Sequence, residues 1–324
     1  MGERSFSVGT SIGIALFPDA DASEHDILRH ADIALYQAKS MGRSAIQLYR
    51  PELQADVTLR LRVQEGLRQA LANRELALHY QPQLDALGRV RGTEALMRWH
   101  HPQLGEVPPA LFIGVAEQCG LIHTIGDWLI EHACARLREW VRRGEPFGGH
   151  LSINVSPWQF ARPSFVEDVR GILSAHRLEP GHLTIELTET ALLYDLDETV
   201  EKLKRLRDLG LSVAMDDFGT GYSSLAYLRR LPLDQLKIDK LFVAELCDGT
   251  ENPLVESMID IARRMRLEVV AEGVENEEQR ARLIQLGCDR FQGFHCCLPL
   301  PEADLLRWLR AVDVGEVHPC SPAA

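Results

Sequence analysis

No stretch of this chain approaches the ~18–20 consecutive apolar residues that a membrane-crossing helix needs, and no Cys-x-x-Cys pair occurs in it. The first lack means that no membrane contact is expected from this segment. The second argues against a zinc site and against a disulfide framework. The seven cysteines (Cys119, Cys134, Cys247, Cys288, Cys296, Cys297 and Cys320) are odd in number, and reduced thiols in a cytoplasmic compartment are the natural reading. Basic residues are also short. Lys and Arg total 35 against 47 Asp and Glu, for a net charge of −12. A broad cationic face for polymeric nucleic acid is therefore not expected, and a polyanion must be met by a local device such as metal ions or a few Arg and Lys. The opening MGERSFSVGT lacks the basic-then-apolar pattern of a secretion signal, and its Ser5 comes too early for a myristoylation signal. What is present is an ordinary globular composition, 45% hydrophobic and 25% charged over 324 residues. That length holds one large domain or two ordinary ones.

The segment before about residue 50 reads as a piece of a domain. FSVGTSIGIALF and AIQLY are strand-like. DADASEHDILRHADIALYQAKSMG between them reads as a helix, with Ile27, Leu28, Ala31, Ala34 and Leu35 on one face and Gly42 as its stop. So short an α/β fragment should not be stable alone. Residues 51–73 read as a connecting amphipathic helix in which Leu59, Val63, Leu67 and Leu71 recur every fourth position.

Residues 74–312 alternate short apolar runs with helical patterns. The strand candidates are ALHYQP, VRGTEAL, HLSINV, LTIELT, LSVAMD, QLKID, EVVAEG and CDRFQG. Helix candidates include Phe112–Arg142, Phe165–His176, Leu196–Leu209, Leu254–Arg266 and Glu277–Leu286, with Gly210 and Gly287 placed as C-caps. Strand alternating with helix predicts a parallel sheet covered by helices. Eight such units in this length predict a (β/α)8 barrel. Residues 313–324 are left as a tail.

The polar residues fall at one end of these strands. Glu94 closes the second candidate, Asn154 the third, Glu186 and Glu189 the fourth, and Asp216 and Asp217 the fifth. Lys237 and Asp239 lie on the sixth, Glu272 closes the seventh, and Gln292 ends the eighth. Singly, each is an ordinary solvated strand end or turn former. In a parallel barrel, however, all strand C-termini open on one face, where chemistry is built. Carboxylates crowded there raise one another's pKa unless a cation sits among them. Hard oxygen donors, with no His or Cys at a strand end, point to Mg²⁺ or Mn²⁺ rather than zinc. His79, inside a strand, reads as structural. Adjacent Asp216 and Asp217 should diverge on a regular strand, but where the backbone turns both can reach neighbouring ions. Two such ions suit displacement at phosphorus.

Together, HYQPQ, EALMRWHHP, LSINVSP, IELTET, MDDFGTGYSSL, LKIDK, AEGVE and FQGF, in this order over about 60–312, resemble the EAL-domain cyclic-di-GMP phosphodiesterases. The resemblance implies a modified TIM barrel that hydrolyses cyclic-di-GMP to linear pGpG with two Mg²⁺ or Mn²⁺ ions. It implies that Glu94, Asn154, Glu186 and Asp216 ligate one metal and Asp217 the second, with Glu272 either a further ligand or the general base. Lys237 is implied at the attacking water or phosphate, Gln292 near the metal-bound water, and Gln81, Arg98 and Asp239 at the substrate. Glu189 is implied as the anchor of the 216–225 loop, and Glu275 as a supporting residue. A homodimer formed beside that loop is implied as well. The bottom-up chemistry agrees: the Arg98 fork suits a phosphate oxygen, and Lys237 can neutralise charge that develops at phosphorus.

The chain departs from the family at His295-Cys296-Cys297-Leu298-Pro299, where Leu298 stands at a usually basic position. Vicinal Cys296 and Cys297 read as inert packing rather than a redox sensor. TSIGIALFPDA and ADIALYQAKSMGR resemble the C-terminal half of a GGDEF diguanylate cyclase domain. The GGDEF signature itself is absent, which implies that this stretch makes no cyclic-di-GMP. The readings set against an active phosphodiesterase are a module that binds cyclic-di-GMP without hydrolysing it and an interaction scaffold with no nucleotide.

Overall fold

A computed structural model describes residues 9–16, 23–40, 45–193, 195–221, 225–246 and 252–315. The chain divides into two compact units, residues 1–73 with 110–119, and residues 74–109 with 120–324. Gly42, Cys247, Cys320 and Tyr222–Ser224 lie outside the described residues.

In the first unit, strand β1 (Ile12–Ile14) pairs in parallel with β2 (Ile46–Leu48), and the helix Glu24–Ser40 packs on both. Gly13 permits this approach. A Cβ there would lie 2.2 Å from the backbone nitrogen of Leu35 and 2.3 Å from the carbonyl of Ala31. Ala34 and Ala38 of that helix are fully buried. The predicted connecting helix runs Pro51–Ala70, opened by a proline in its first turn, and buries Val63, Leu67 and Ala70. Its apolar repeat is shorter than predicted, since Leu59 is exposed and Leu71 is already the C-cap.

The second unit is a closed barrel of eight strands: β3 (Leu76–Leu84), β4 (Val90–His101), β6 (Leu151–Val155), β7 (Leu183–Thr188), β8 (Ser212–Phe218), β9 (Gln235–Ile238), β10 (Glu268–Ala271) and β11 (Arg290–Phe291). Two short strands join its edges, β5 (Gly105–Val107) beside β4 and β12 (Leu300–Pro301) beside β3. All eight predicted barrel strands are present. The expected parallel sheet is modified at one strand, in keeping with a modified TIM barrel: β3 runs antiparallel to both β4 and β11. The cause is the turn after β3. The Asp85 carboxylate accepts from the backbone of Leu87 and Arg89 at 2.9 and 3.0 Å and closes a tight hairpin, and so short a connection can join only antiparallel strands.

The pairing register fixes what faces inward. Gln81 and Gln83 share a face with Glu94 and Gly92 across the β3–β4 ladder. The parallel pairs carry that face through Ser152, Asn154, Glu186, Ala214, Gln235 and Glu268 to Arg290. The opposite face carries Leu151, Ile153, Ile185, Val213, Met215, Leu236, Ile238, Val269 and Phe291, all buried in the core with Leu137, Trp140, Phe165, Leu203 and Leu305 of the surrounding helices. Burying each such aliphatic side chain contributes about 1.5–3 kcal/mol, so this outer shell can carry a barrel whose interior is polar.

The helices Phe165–His176, Leu196–Asp208, Pro253–Met265 and Glu277–Leu286 lie within a residue of their predicted limits. Asn252 and Asn276 cap the N-termini of the last two, and Gly287 closes the fourth in the left-handed region. The predicted helix Phe112–Arg142 is instead two, Pro109–Gln118 and Ile122–Arg143. The break carries Gly120 at φ +75°, a conformation that ends an α-helix. No helix among the described residues is long and apolar enough to cross a membrane.

Candidate active site

The structure brings the predicted residues together inside the barrel mouth. Lys237 on β9 is the hub. Its Nζ lies 2.5 Å from Glu186 Oε2, 2.6 Å from Glu272 Oε1, 3.3 Å from Asp216 Oδ1 and 3.5 Å from Glu94 Oε2. Lys237 is 1% exposed, so all of its charge is spent on these carboxylates. One positional expectation is corrected. Glu94 does not close its strand, because β4 continues to His101 and contains Arg98 as well. The alternation of side chains keeps Glu94 and Arg98 on one face, with Arg98 farther toward the rim.

Three glutamines extend the site. Gln292 Nε2 donates to Glu94 Oε2 at 2.6 Å and to Gln81 Oε1 at 3.0 Å. Gln81 Nε2 donates to the Cys297 carbonyl at 2.8 Å. Gln83 Nε2 donates to Gln292 Oε1 at 2.9 Å. Asn154 Nδ2 donates to Glu94 Oε1 at 2.5 Å, which leaves its Oδ1 as the atom able to ligate a cation. Gln83 was missed in the sequence. Its signal was the two-residue spacing from Gln81, which puts both on one face of β3.

Asp216 and Asp217 reach one place through a bulge. Met215 pairs with Leu236 and Phe218 with Ile238, so β8 holds one more residue than β9 over the same span. Asp217 takes φ +54°, the left-handed region that Asp tolerates better than most residues, and its N–H donates to Asp216 Oδ1 at 3.0 Å. Carboxylate oxygens of Asp216, Asp217 and Glu272 lie within 4.8 Å of one another. The loop beyond is gripped by Glu189. Its Oε2 accepts from the Gly219 N–H at 3.2 Å, and a Cβ at Gly221 would stand 2.5 Å from its Oε1. Thr220 Oγ1 donates to the Asp217 carbonyl at 2.8 Å.

The electrostatics follow from burial and this crowding. Burial pushes the Glu272 carboxyl up to about 8 and Asp217 up to about 6, and the neighbouring Asp216 adds to both. Glu186 is raised well above the usual range by burial and then by Glu94. Burial also opposes ionisation of Glu94, but Lys237, Gln292 and Asn154 outweigh it and hold that carboxyl below its ordinary value. Burial disfavours the Lys237 ammonium too, yet Asp216, Glu186, Glu272 and Glu94 raise its pKa well above the ordinary lysine value. The cluster thus carries more carboxylates than its one ammonium can neutralise.

Asp239 caps the helix Lys240–Ala244 by accepting from the Leu241 N–H at 2.8 Å, and it lies beside Asp217, whose pKa it helps to raise. The Arg98 guanidinium bonds the Met97 carbonyl at 2.9 Å. Cys296 and Cys297 are buried, and burial pushes the Cys297 thiol up to about 12, in keeping with packing. Leu298 is 54% exposed.

The donor set fits hard divalent cations. All candidate ligands are oxygens, three carboxylates already converge, and Glu186 Oε1 is buried with no hydrogen-bond partner among the described residues. Fold and site together define a modified TIM barrel with an acidic, oxygen-lined mouth.

Residues 64–299 match the EAL domain family, and residues 1–45 match the diguanylate cyclase GGDEF domain. The chain belongs to the EAL-domain family. Among its relatives is the bifunctional diguanylate cyclase/cyclic di-GMP phosphodiesterase MucR of Pseudomonas aeruginosa, 42% identical over 305 residues, which are 92% of this chain and 44% of MucR. The cyclic di-GMP phosphodiesterase NbdA of the same organism is 41% identical over 314 residues, 95% of this chain and 40% of NbdA. The chain spans less than half the length of these curated relatives. A solved structure of the PaMucR phosphodiesterase in complex with c-di-GMP superposes with a TM-score of 0.72 at 43% identity, over 75% of this chain and 99% of that one.

Proposed function

We propose that the barrel hydrolyses one phosphodiester bond of cyclic-di-GMP and releases linear pGpG, using two divalent cations, Mg²⁺ or Mn²⁺. The observation that carries this reading is the convergence of Asp216, Asp217 and Glu272 within 4.8 Å, beside Glu94, Asn154 and Glu186. In this assignment Glu94, Asn154, Glu186 and Asp216 hold one ion and Asp217 the other, and Glu272 serves as ligand or general base. Bound ions of this kind lower the pKa of a coordinated water and offset charge on the phosphate.

The chain's own residues do the rest. Lys237 offsets the repulsion among the carboxylates and keeps them close enough to share cations. Glu272, raised to about 8, is poised to take a proton near neutral pH. Gln292 and Gln81 present amides toward the Glu94 side of the mouth. Arg98, farther out along β4, is placed for a phosphate oxygen, and Asp239 for the substrate beside Asp217. Glu189 holds the loop after Asp217 through the Gly219 N–H. A homodimer next to that loop belongs to the same proposal, as does the assignment of residues 74–312 to the barrel domain.

The test is product analysis of the purified chain with cyclic-di-GMP and either cation. Appearance of pGpG supports the proposal. Binding measured by calorimetry, with intact cyclic-di-GMP recovered, would establish the non-hydrolysing module instead.

A further inference from the structure

We infer that Gln83 is a positioning residue: it tethers the Gln292 amide, whose facing Gln81 and Glu94 set, and through Gln292 it holds Glu94 in place for a cation. The inference rests on the reading of Glu94 as a metal ligand.

An amide end is assigned by its partners. Here the hydrogen-bond chain is anchored by two groups that only accept. The Cys297 carbonyl requires the NH₂ end of Gln81, so Gln81 Oε1 is turned to Gln292. Gln292 Nε2 then uses both of its hydrogens, one on Gln81 Oε1 and one on Glu94 Oε2. Its Oε1 is left pointing deeper into the barrel, where Gln83 Nε2 meets it at 2.9 Å. Turned the other way, Gln292 would set its oxygen against a carboxylate and an amide oxygen.

Gln83 is built for this contact. It is 1% exposed, and its Oε1 has no hydrogen-bond partner among the described residues. The bond to Gln292 is therefore what its polar end supplies. The residue opposite on β4 is Gly92. A Cβ there would lie 3.0 Å from Gln83 Oε1 and 3.1 Å from Arg290 Nη1, so the glycine leaves room for the Gln83 amide in the barrel interior.

The experiment compares the parent chain with Gln83→Met, Gln292→Met and the double variant, by calorimetric titration of Mn²⁺, steady-state kinetics and thermal melting. Methionine keeps the volume and removes the donor. Gln83→Met is expected to weaken Mn²⁺ binding by about 5- to 10-fold, at or just below the ~10–100-fold typical of a direct partner of a metal ligand. It should lower kcat while leaving KM for cyclic-di-GMP near the parent value. In the Gln292→Met background it should add less than about a twofold change, because an effect relayed through Gln292 is lost with it. Mn²⁺ affinity of Gln83→Met within twofold of the parent, or an undiminished further loss in the Gln292→Met background, overturns the inference. If Gln83→Met does not reach native circular dichroism, Gln83→Asn, too short to reach Gln292, is judged by the same affinity criterion. A parent that binds no Mn²⁺ counts against the proposed function instead. The metal-free melts then decide: single-variant Tm shifts that do not add support the Gln83–Gln292 link, and additive shifts refute it.

Discussion

Asp217 holds a conformation that costs energy and a carboxylate that, among the described residues, forms no ion pair of its own. A left-handed backbone at a non-glycine residue, φ +54° here, persists only where its surroundings enforce it. The enforcing feature is the bulge of β8, and its result is that Asp216 and Asp217 face one site. Asn tolerates the same backbone, so Asp217→Asn separates charge from fold. Its Tm should fall no more than about 2 °C below the parent's, while turnover falls by ~10²-fold or more, the size expected when one preorganised electrostatic group is lost. Parent-like turnover would remove Asp217 from the site.

The raised carboxyls also set a pH dependence. Asp217 and Glu272 hold protons in the folded chain at pH values where the unfolded chain has lost them. The folded state then binds more protons, so unfolding free energy falls as pH rises. The windows run from 3.8 to about 6 for Asp217 and from 4.5 to about 8 for Glu272. Lys237 acts in the opposite range, since its contribution is fully present below 10.5. The metal-free protein should therefore melt at a lower temperature at pH 8 than at pH 6, by roughly 5 °C. Cations compete with these protons, so the rise in Tm on adding Mg²⁺ or Mn²⁺ should be larger at pH 8. A metal-free Tm that is flat or rising over this interval contradicts the assignment.

At the scale of elements, Glu189 holds the start of the loop after β8. Glu189 starts the helix Glu189–Leu193, and its carboxylate bonds the Gly219 N–H and leaves no space for a side chain at Gly221. Glu189→Ala and Gly221→Ala should both displace the loop. Turnover should fall by ~10- to 100-fold, the cost of a small misplacement of reacting groups, while Tm moves by less than about 4 °C. Unchanged turnover in Glu189→Ala argues against loop anchoring.

Much of this was legible in the sequence because strands and helices alternate with clean limits. LTIELT and LSVAMD locate β7 and β8, and Gly287 marks a helix end that the structure confirms. The reversal of β3 was not read, because its signal was a turn, DALGR, rather than a periodicity. The length of β4 was hidden by Arg98, His100 and His101, which look like the residues of a loop yet extend the strand. The bulge at Asp216-Asp217 is a register effect, visible only once β9 is paired. Gln83 was hidden for a related reason: its partner Gln292 is 209 positions away.

For the whole molecule, polar residues line the barrel interior and apolar residues its outer face, so stability and chemistry are carried by opposite faces of the same strands. The acidic mouth sits in a chain of net charge −12, so the proposed binding of an anionic dinucleotide there would depend on cations and a few basic groups rather than on overall charge. The most direct test is chromatographic identification of the product formed from cyclic-di-GMP by the purified chain, with Mg²⁺ or Mn²⁺ present and after chelation. The account predicts linear pGpG with either cation and none after chelation, restored on adding the metal back. Intact cyclic-di-GMP under every metal condition, from a protein with a native melt, would contradict it.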